Sequence, residues 1–507
     1  MDNSKNRKIG AILSYVSIIA TTLIQLLYTP LLIRKLGQSE YGLYSLINSV
    51  IGYLTILDLG FGNAIVVYTA KYRALKKYEE EKKLHGMFFI IFLIIGVIAG
   101  IGGLILYFNV NNLFGSTMTD TELHKAKIMM LILTFNLVIS FSFNIYSSII
   151  NAYEKFVFQK IMSITNTLLK PILMIPLLFL GYRSIAMCVI ITIVNLFVMI
   201  SNYYYCTRKL NVNVKFKGFD KVIFIEIFTY SFWIFLNSIV DKANWSIDQF
   251  ILGAVSGTVA VSVYSVASQL NQLFVNLSNA ISGVLLPKMS QMVAKKASSR
   301  ELTDEMIKVG RIQYYIIFLL ITGLFLVGRE FIMLWAGSEY KSSYYVALML
   351  IIPLCFPLIQ NLGLSIIQAM NKYKFRAIMT FVMALANVII SYFLAKAYGP
   401  IGSAFGTAIA LIICNILIMN IYYYKEIKLD VIKFWKQIFK MTLVMIIPFL
   451  IMEVLKFFTN INGIGGILIY GSIYTLIYSI SVYCLVMNNY EKSIVNKVLV
   501  KIHLLKE

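Results

Sequence analysis

Long apolar runs, separated by short polar segments, make up almost the whole chain. A helix needs about 20 apolar residues to cross the hydrocarbon core of a membrane, and about fourteen runs reach that length. They lie near residues 11–33, 41–66, 86–108, 126–149, 161–180, 185–205, 225–247, 259–286, 312–330, 343–369, 377–396, 403–424, 441–457 and 464–487. The pattern predicts an all-α polytopic membrane protein with no room for a soluble catalytic domain.

Composition agrees with this prediction and excludes an ordinary soluble protein. Hydrophobic residues make up 59% of the chain and charged residues 13%, whereas soluble domains are about a quarter charged. The mean hydropathy is +0.79. The first apolar run is too long for the core of a signal peptide, so we interpret it as the first transmembrane helix.

The basic residues predict the orientation of the chain. With a cytoplasmic N-terminus, 34 of the 45 Lys and Arg residues fall in inner segments and nine in outer segments. This bias follows the positive-inside rule and predicts that both termini are cytoplasmic. It also explains most of the net charge of +22, because anionic inner-leaflet lipids attract basic loops. Nucleic-acid binding is therefore a poor explanation.

Two short segments near the C-terminus have an amphipathic pattern. The tail from Tyr490 to Leu505 places its apolar residues on one helical face and its lysines away from it. Residues 429–440 are similar. We expect both segments to form helices on the inner membrane surface.

An internal repeat divides the chain. SIINAYEKFVFQKIMS from Ser148 and SIIQAMNKYKFRAIMT from Ser365 match without a gap at an offset of 217 residues. The residues around Leu36 and Leu252 also correspond. Because one period covers six helices, both halves enter the membrane with the same orientation.

The repeat predicts two parallel six-helix lobes followed by two additional helices. We expect an N-lobe over residues 1–222, a C-lobe over 223–424, and helices 13 and 14 with their surface helices over 425–507. Repeat-related helices in both lobes carry polar faces, so we expect a central cavity between the lobes.

Polar side chains are costly in hydrocarbon and should face a cavity or another helix. In several helices they recur at steps of three and four residues, which places them on one face. The candidate substrate cavity consists of Gln25 in helix 1, Asn48 and Asp58 in helix 2, Lys170 in helix 5, Asn237, Asp241, Lys242 and Asn244 in helix 7, and Gln269, Gln272, Asn276 and Asn279 in helix 8. Contact between helices is the alternative role for single amides, and a salt bridge is the alternative for Asp58 and Lys170.

Cysteine and histidine spacings suggest no metal or redox site. The five cysteines lie in or beside apolar runs, as expected of small buried residues. The three histidines, His85, His124 and His503, are assigned to loops or to the tail. We predict no metal, no catalytic residue and no covalent chemistry.

Three motifs resemble the Wzx-type polysaccharide flippases of the MOP superfamily. They are LLIRKLGQSEYGLYSLINSVIGYLTILDLGFGNAIVVYTAKYRA from Leu31, SIINAYEKF from Ser148 and FIMLWAGSEY at 331–340. The resemblance covers nearly the whole chain in length, order and helix count. Its relatives include the lipid II flippase MurJ and the MATE drug exporters. It implies two six-helix lobes around a cavity.

The resemblance also implies a function in a bacterial plasma membrane. An oligosaccharide unit on an undecaprenyl pyrophosphate carrier would move from the inner to the outer leaflet by alternating access. The alternatives are an ion-coupled MATE-type drug exporter and a membrane enzyme such as a polysaccharide polymerase, which the short outer loops disfavour.

Partners and driving force follow from the same resemblance. We expect membrane lipids, the lipid-linked oligosaccharide and polysaccharide polymerase machinery as partners, and no cofactor. A proton, a sodium ion or the membrane potential would drive transport. No P-loop motif supports direct coupling to ATP.

Overall fold

The computed structural model describes residues 3–216, 224–229, 246–282, 286–458 and 463–501, and the single positions 231, 235, 239 and 242. These residues are mostly helical and contain no β-strand. The helices are α1 Asn3–Leu36, α2 Gln38–Leu54, α3 Phe61–Ala74, α4 Tyr78–Phe114, α5 Asp120–Ala152, α6 Phe156–Phe179, α7 Ser184–Tyr204, α8 Ile247–Val255, α9 Gly257–Ser282, α10 Leu286–Ala294, α11 Ser299–Trp335, α12 Lys341–Ile359, α13 Asn361–Ala369, α14 Lys374–Leu411, α15 Met419–Lys425, α16 Val431–Phe458, α17 Gly463–Ser481 and α18 Asn489–Lys501.

Ten helical segments of the described chain are long and apolar enough to cross a membrane. One of them, Lys374–Lys425, bends at Gly399, whose backbone has a φ of 59°. This bend separates the two helices predicted at 377–396 and 403–424. The predicted all-α polytopic architecture is confirmed, and the count of fourteen spans is approximate. The helix predicted at 225–247 lies largely outside the described residues.

Several helices begin at a residue that satisfies the free backbone N–H groups of their first turn. Thr119 and Glu122 form a reciprocal capping box at the start of α5, and Ser298 and Glu301 form another before α11. Each box pairs two backbone donors that would otherwise lack partners.

Left-handed turn residues recur at equivalent places in the two halves of the sequence. Each pair is separated by 217 to 220 residues and ends or begins a helix in the same manner. The pairs are Gly37 and Gly257, Lys76 and Lys296, Glu154 and Asn371, Gly181 and Gly399, and Asn211 and Lys428. A left-handed residue is common where a helix ends, but five pairs in the same order are the mark of a repeat.

The packing of aromatic rings repeats as well. Phe158 stacks on Tyr205 with ring centroids 3.9 Å apart, and Phe375 stacks on Tyr422 at 4.3 Å. Both residues of the first pair lie 217 residues before their counterparts. The internal repeat predicted from the sequence is therefore confirmed.

The chain forms two compact units. Unit 1 comprises Met1–Ser265 and Tyr392–Pro400, and unit 2 comprises Val266–Ser391 and Ile401–Glu507. In unit 1, α4 and α7 pack on α5, and α1 packs on α6. In unit 2, α11 packs against α12, α16 and α17. The boundaries predicted at residues 222 and 424 stay a prediction. The first of them falls within residues 217–223, which the structure does not describe.

Two predicted helices are interrupted. The helix predicted at 41–66 divides into α2 and α3, with a 3₁₀ turn at Thr55–Asp58 and left-handed backbone at Leu59 and Gly60. The helix predicted at 343–369 divides into α12 and α13 at Gln360. Apolar runs continue through both breaks, so hydropathy alone does not reveal them.

Several segments predicted to be loops or separate surface helices belong to longer helices in the structure. His85 lies in α4 and is 1% exposed, and His124 lies in α5, so their assignment to loops was wrong. Residues 431–440 continue into the rest of α16 and do not form a separate helix. Charged residues such as Glu and Lys favour helix, which lets helices extend beyond the apolar runs. The tail is helical in α18.

Candidate functional site

Asp58 ends the 3₁₀ turn between α2 and α3 and is the charged residue at the centre of the candidate site. Asn144 of α5 donates a hydrogen bond from Nδ2 to Asp58 Oδ1 over 3.0 Å. The backbone N–H groups of Gly60 and Gly62 interact with the same carboxyl group. The break in the helix therefore supplies backbone donors to a half-buried acidic side chain.

A cavity of about 370 Å³ in unit 1 opens beside Asp58. Its polar lining consists of one carboxyl group, hydroxyl groups and amides, with two phenylalanines among its apolar residues. The lining residues are Thr55, Asp58, Ser140, Phe141, Phe143, Asn144, Ser147, Asn166, Asn195, Val198, Met199 and Asn202. Asp58 is the one charged residue in this lining. We call this space the Asp58 cavity.

Amide side chains connect three helices around the Asp58 cavity. Asn166 of α6 donates to Asn195 Oδ1 of α7 over 3.1 Å, and Asn195 donates to Asn136 Oδ1 of α5 over 3.3 Å. The buried Oδ1 atom of Asn202 has no hydrogen-bond partner within the described structure. An unpaired buried acceptor costs free energy, and a hydroxyl group of a bound molecule would remove that cost.

The Asn166, Asn195 and Asn202 side chains were not among the predicted site residues. Asn195 and Asn202 are seven residues apart and therefore share a face of α7, and this spacing was the available signal. Asn166 lies one turn before Lys170 on α6. Asn144 was not predicted either, although Asn136, Ser140 and Asn144 recur every four residues and therefore share a face of α5.

Lys170 is on α6, one turn after Asn166, and does not line the Asp58 cavity. It precedes Pro171, which removes a backbone N–H from the helix. Among the described residues, Lys170 forms no ion pair, so the salt bridge considered as the alternative role for this residue is not present there. The structure pairs Asp58 with an amide instead.

Lys242, Asn48 and Gln25 also belong to unit 1. Lys242 Nζ lies 3.7 Å from the position that a Cβ atom would occupy at Gly52, one turn after Asn48 on α2. Asn48 is exposed, and the Gln25 Oε1 atom is buried without a partner in the described chain. The predicted site residues Asn237, Asp241 and Asn244 lie outside the described residues.

The predicted stripe on α9 occupies one face of that helix in unit 2. Gln272 and Asn279 are exposed, and Gln272 donates to Asn276 Oδ1 over 2.9 Å. Asn279 accepts a hydrogen bond from Asn361 over 2.9 Å. Gln269 lies one turn earlier on the same face.

The opposite face of α9 packs into unit 2. Ser278 is 1% exposed and donates to the carbonyl of Leu358 over 3.0 Å, and Phe274 is buried beside it. Gln272 and Asn279 therefore point away from the interior of the unit, and the assignment of this stripe to a substrate cavity stays a prediction. Within the described residues, no cluster of three or more His, Cys, Asp or Glu side chains could hold a metal ion.

Comparison with known proteins gives one family. The profile of the family described as polysaccharide biosynthesis protein matches residues 8–293, more than half of the chain. A Shigella flexneri protein named "Putative O-antigen transporter" is 24% identical over 413 residues, covering 79% of this chain and 94% of its own length. The Staphylococcus aureus capsular polysaccharide biosynthesis protein CapF is 28% identical over 236 residues, covering 45% of this chain and 55% of its own.

Solved structures share the fold. The lipid II flippase MurJ, in an inward closed conformation, aligns with a TM-score of 0.72 and 20% identity, over 93% of this chain and 98% of MurJ. An inward-facing multidrug resistance MATE transporter of the MOP superfamily aligns with a TM-score of 0.61 and 16% identity, over 78% of this chain and 96% of that chain. The predicted MurJ-like and MATE-like fold is confirmed.

Proposed function

Because this chain belongs to the polysaccharide biosynthesis protein family, we propose that it is a flippase for lipid-linked oligosaccharides. It moves oligosaccharide repeat units, carried on undecaprenyl pyrophosphate, from the cytoplasmic to the outer leaflet of a bacterial plasma membrane. Transport proceeds by alternating access and supplies the synthesis of capsule, O-antigen or exopolysaccharide. The protein is a multi-pass membrane protein and not an enzyme.

The Asp58 cavity is the observation that carries this proposal. Amide and hydroxyl groups form hydrogen bonds with sugar hydroxyls without requiring a charge, and the single carboxylate accepts hydrogen bonds more strongly than a neutral group. Phe141 and Phe143 provide apolar surface beside these groups. A polar lining of this kind suits the oligosaccharide, while the lipid chain remains in the bilayer.

The pyrophosphate needs a cationic partner, which the Asp58 cavity does not contain. Lys170 and Lys242 are the two cations that the sequence places within helices, and each lies in unit 1. A Lys ammonium group binds phosphate as a compact point charge. We assign the pyrophosphate to these two lysines and the sugar to the amides.

Gene deletion in the native host tests the function. Mass spectrometry of lipid-linked intermediates is expected to reveal complete repeat units trapped on undecaprenyl pyrophosphate, together with a loss of surface polysaccharide. Normal surface polymer without trapped intermediates would contradict the proposal. Restoration of surface polysaccharide by the intact gene excludes an effect of the deletion on the expression of downstream polymerase genes. We propose those polymerases as partners.

An ion-coupled exporter of the MATE class is the second candidate. The Asp58 carboxylate is the charged residue of its cavity and would attract an organic cation. This candidate predicts that deletion raises sensitivity to cationic drugs and leaves surface polymer unchanged. The same deletion strain therefore distinguishes the two functions.

A further inference from the structure

A second cavity, of about 590 Å³, lies at the C-terminal end of α6 and is mainly apolar. We call it the α6–α7 groove. It is lined by Glu40, Lys125, Leu177, Gly181, Tyr182, Arg183, Ser184, Ile185, Ala186, Val189, Ile190 and Ile193. All of these residues belong to unit 1.

The apolar part of the groove follows α7 along one side. Ile185, Val189 and Ile193 recur every four residues and therefore share a face, and Val189 and Ile193 are exposed. From Ser184 to Ile193 the helix rises roughly 14 Å. One leaflet of the hydrocarbon core is about 15 Å deep, so the groove matches the depth of a single leaflet.

Basic side chains surround the polar end of the groove. Arg183 is exposed, and its guanidinium forms no ion pair with any described residue. Lys125 forms an ion pair with the buried Glu40, which also accepts a hydrogen bond from the Ser184 hydroxyl. Glu40 is thereby neutralised locally, and the positive charge of Arg183 remains available to a ligand.

Another cation lies close to this end of α6. Lys35 Nζ is 4.4 Å from the centre of the Phe179 ring, at the last residue of α6. The Lys and Arg distribution assigns this side of the membrane to the outside, where basic residues are scarce. Lys35, Lys125 and Arg183 are three of the nine in outer segments. Attraction to anionic inner-leaflet lipids does not explain cations on this side.

We infer that the α6–α7 groove holds a polyprenyl phosphate lipid in the outer leaflet, with its phosphate at Arg183 and its chain along α7. This inference rests on the proposed function, because the transported product, an oligosaccharide on undecaprenyl pyrophosphate, brings the same isoprenoid chain and a phosphate group to the outer leaflet. Guanidinium pairs with phosphate through two parallel hydrogen bonds, and branched apolar side chains line the path of an isoprenoid chain.

Binding by the full-length protein tests the inference without requiring transport. Purified protein in phosphatidylcholine nanodiscs is titrated with undecaprenyl phosphate and followed by native mass spectrometry. Arg183→Gln is expected to weaken binding about tenfold, the effect of one lost charge-assisted hydrogen bond. Ala186→Phe, which places a ring in the groove, is expected to weaken binding by a similar factor.

Matched controls use residues outside the groove. Arg329→Gln removes the same charge from an exposed position at the outer end of α11, and Ala397→Phe adds the same ring at an exposed position on α14. Both controls are expected to bind as the unaltered protein does. Equal binding by all four variants would overturn the inference.

Phosphatidylglycerol is the competitor that identifies the lipid. It is expected to displace undecaprenyl phosphate only in large excess, and displacement at equal concentration would show a general anionic-lipid site and overturn the inference. Failure of the inference and of the proposed function remain distinguishable. Trapped intermediates in the deletion strain, together with unchanged binding by Arg183→Gln, would reject the groove site alone.

Discussion

At the scale of single residues, Glu491 of unit 2 is a buried carboxyl group with four hydrogen bonds. Arg311 of α11 donates to it from Nε over 2.6 Å and from Nη2 over 2.8 Å, and the Tyr315 hydroxyl donates over 2.9 Å. The Asn488 N–H adds a fourth hydrogen bond over 2.8 Å. Glu491 is 3% exposed, so these contacts fasten α18 to α11 through a buried ion pair.

The protonation of Glu491 gives a pH prediction. Burial alone would raise the pKa of this carboxyl group, but the hydrogen bonds from Arg311, Asn488 and Tyr315 outweigh it and lower the pKa below its ordinary value. A carboxyl group whose pKa is lower in the folded state stabilises the fold above its unfolded pKa, about 4.3. That contribution is lost as the pH falls through the lower folded pKa.

We therefore expect Glu491→Gln to lower the unfolding temperature of the detergent-solubilised protein at pH 7, because the change leaves Arg311 buried without its charged partner. The loss is about 3 kcal/mol, and the variant should lose less additional stability than the unaltered protein below pH 4. Glu80→Gln, at an exposed position of α4, is the control. Equal unfolding temperatures for the two variants would contradict a stabilising role for this ion pair.

The sequence allowed the charged residue of the candidate site to be predicted, but not its amide residues. Asp58 could be predicted because a carboxylate is costly in an apolar helix and therefore indicates a function. Asn144 was not a predicted site residue, although its spacing from Asn136 and Ser140 was visible in the sequence. Asn166 belongs to no such pattern, and only the folded structure brings it to Asn195. A salt bridge was the alternative role considered for Asp58, but the break after it supplies backbone donors and the Asn144 amide to the carboxylate instead.

At the scale of helices, close backbone contact fixes the position of α2 against the start of α9. A Cβ atom placed on Gly42 would lie 1.8 Å from the carbonyl oxygen of Thr258 and 3.2 Å from the Cβ atom of Ser262. A backbone carbonyl cannot rotate away as the end of a long side chain can. Gly42 therefore permits an approach that any other residue would prevent.

Gly42→Ala is expected to destabilise the protein by about 2 kcal/mol, in the range measured for overpacking. The measurement is the unfolding temperature in detergent. Gly471→Ala is the matched control, because nothing lies within 4 Å of the added atom. Alanine there should be neutral or slightly stabilising, since it reduces the freedom of the unfolded chain. A loss of stability in both variants would refute the close-contact explanation.

Helix positions could be predicted from hydropathy, and helix breaks could not. The break at Leu59 and Gly60 falls inside a continuous apolar run, because a single turn costs little hydrophobic burial and its backbone groups are satisfied locally. The turns shared by the two halves were partly visible, since the match from Ser148 and Ser365 includes the left-handed residues Glu154 and Asn371. The left-handed conformation of these turns, however, is a property of the backbone. Side-chain identity alone therefore does not reveal it.

At the scale of the whole molecule, the charge of the proposed substrate determines what transport requires. A negative-inside membrane potential favours the outward movement of about two negative charges by roughly 4.6 kcal/mol per 100 mV, at about 2.3 kcal/mol per charge. That free energy corresponds to about three powers of ten in the distribution between leaflets. The membrane potential alone can therefore drive the proposed reaction, without a coupled ion.

We accordingly expect flipping in reconstituted vesicles to follow the imposed potential. At a potential clamped by a potassium gradient and valinomycin, addition of a protonophore or removal of sodium should leave the rate unchanged, whereas reversal of the potential should stop net outward flipping.

Loss of flipping under either ionic treatment would instead require antiport through Asp58 or Asp241. In that event Asp58→Asn would distinguish antiport through Asp58 from antiport through Asp241. This substitution removes the ionisable group at residue 58 and retains an amide that Asn144 can bind. A variant that still depended on the ion would assign the coupling to Asp241.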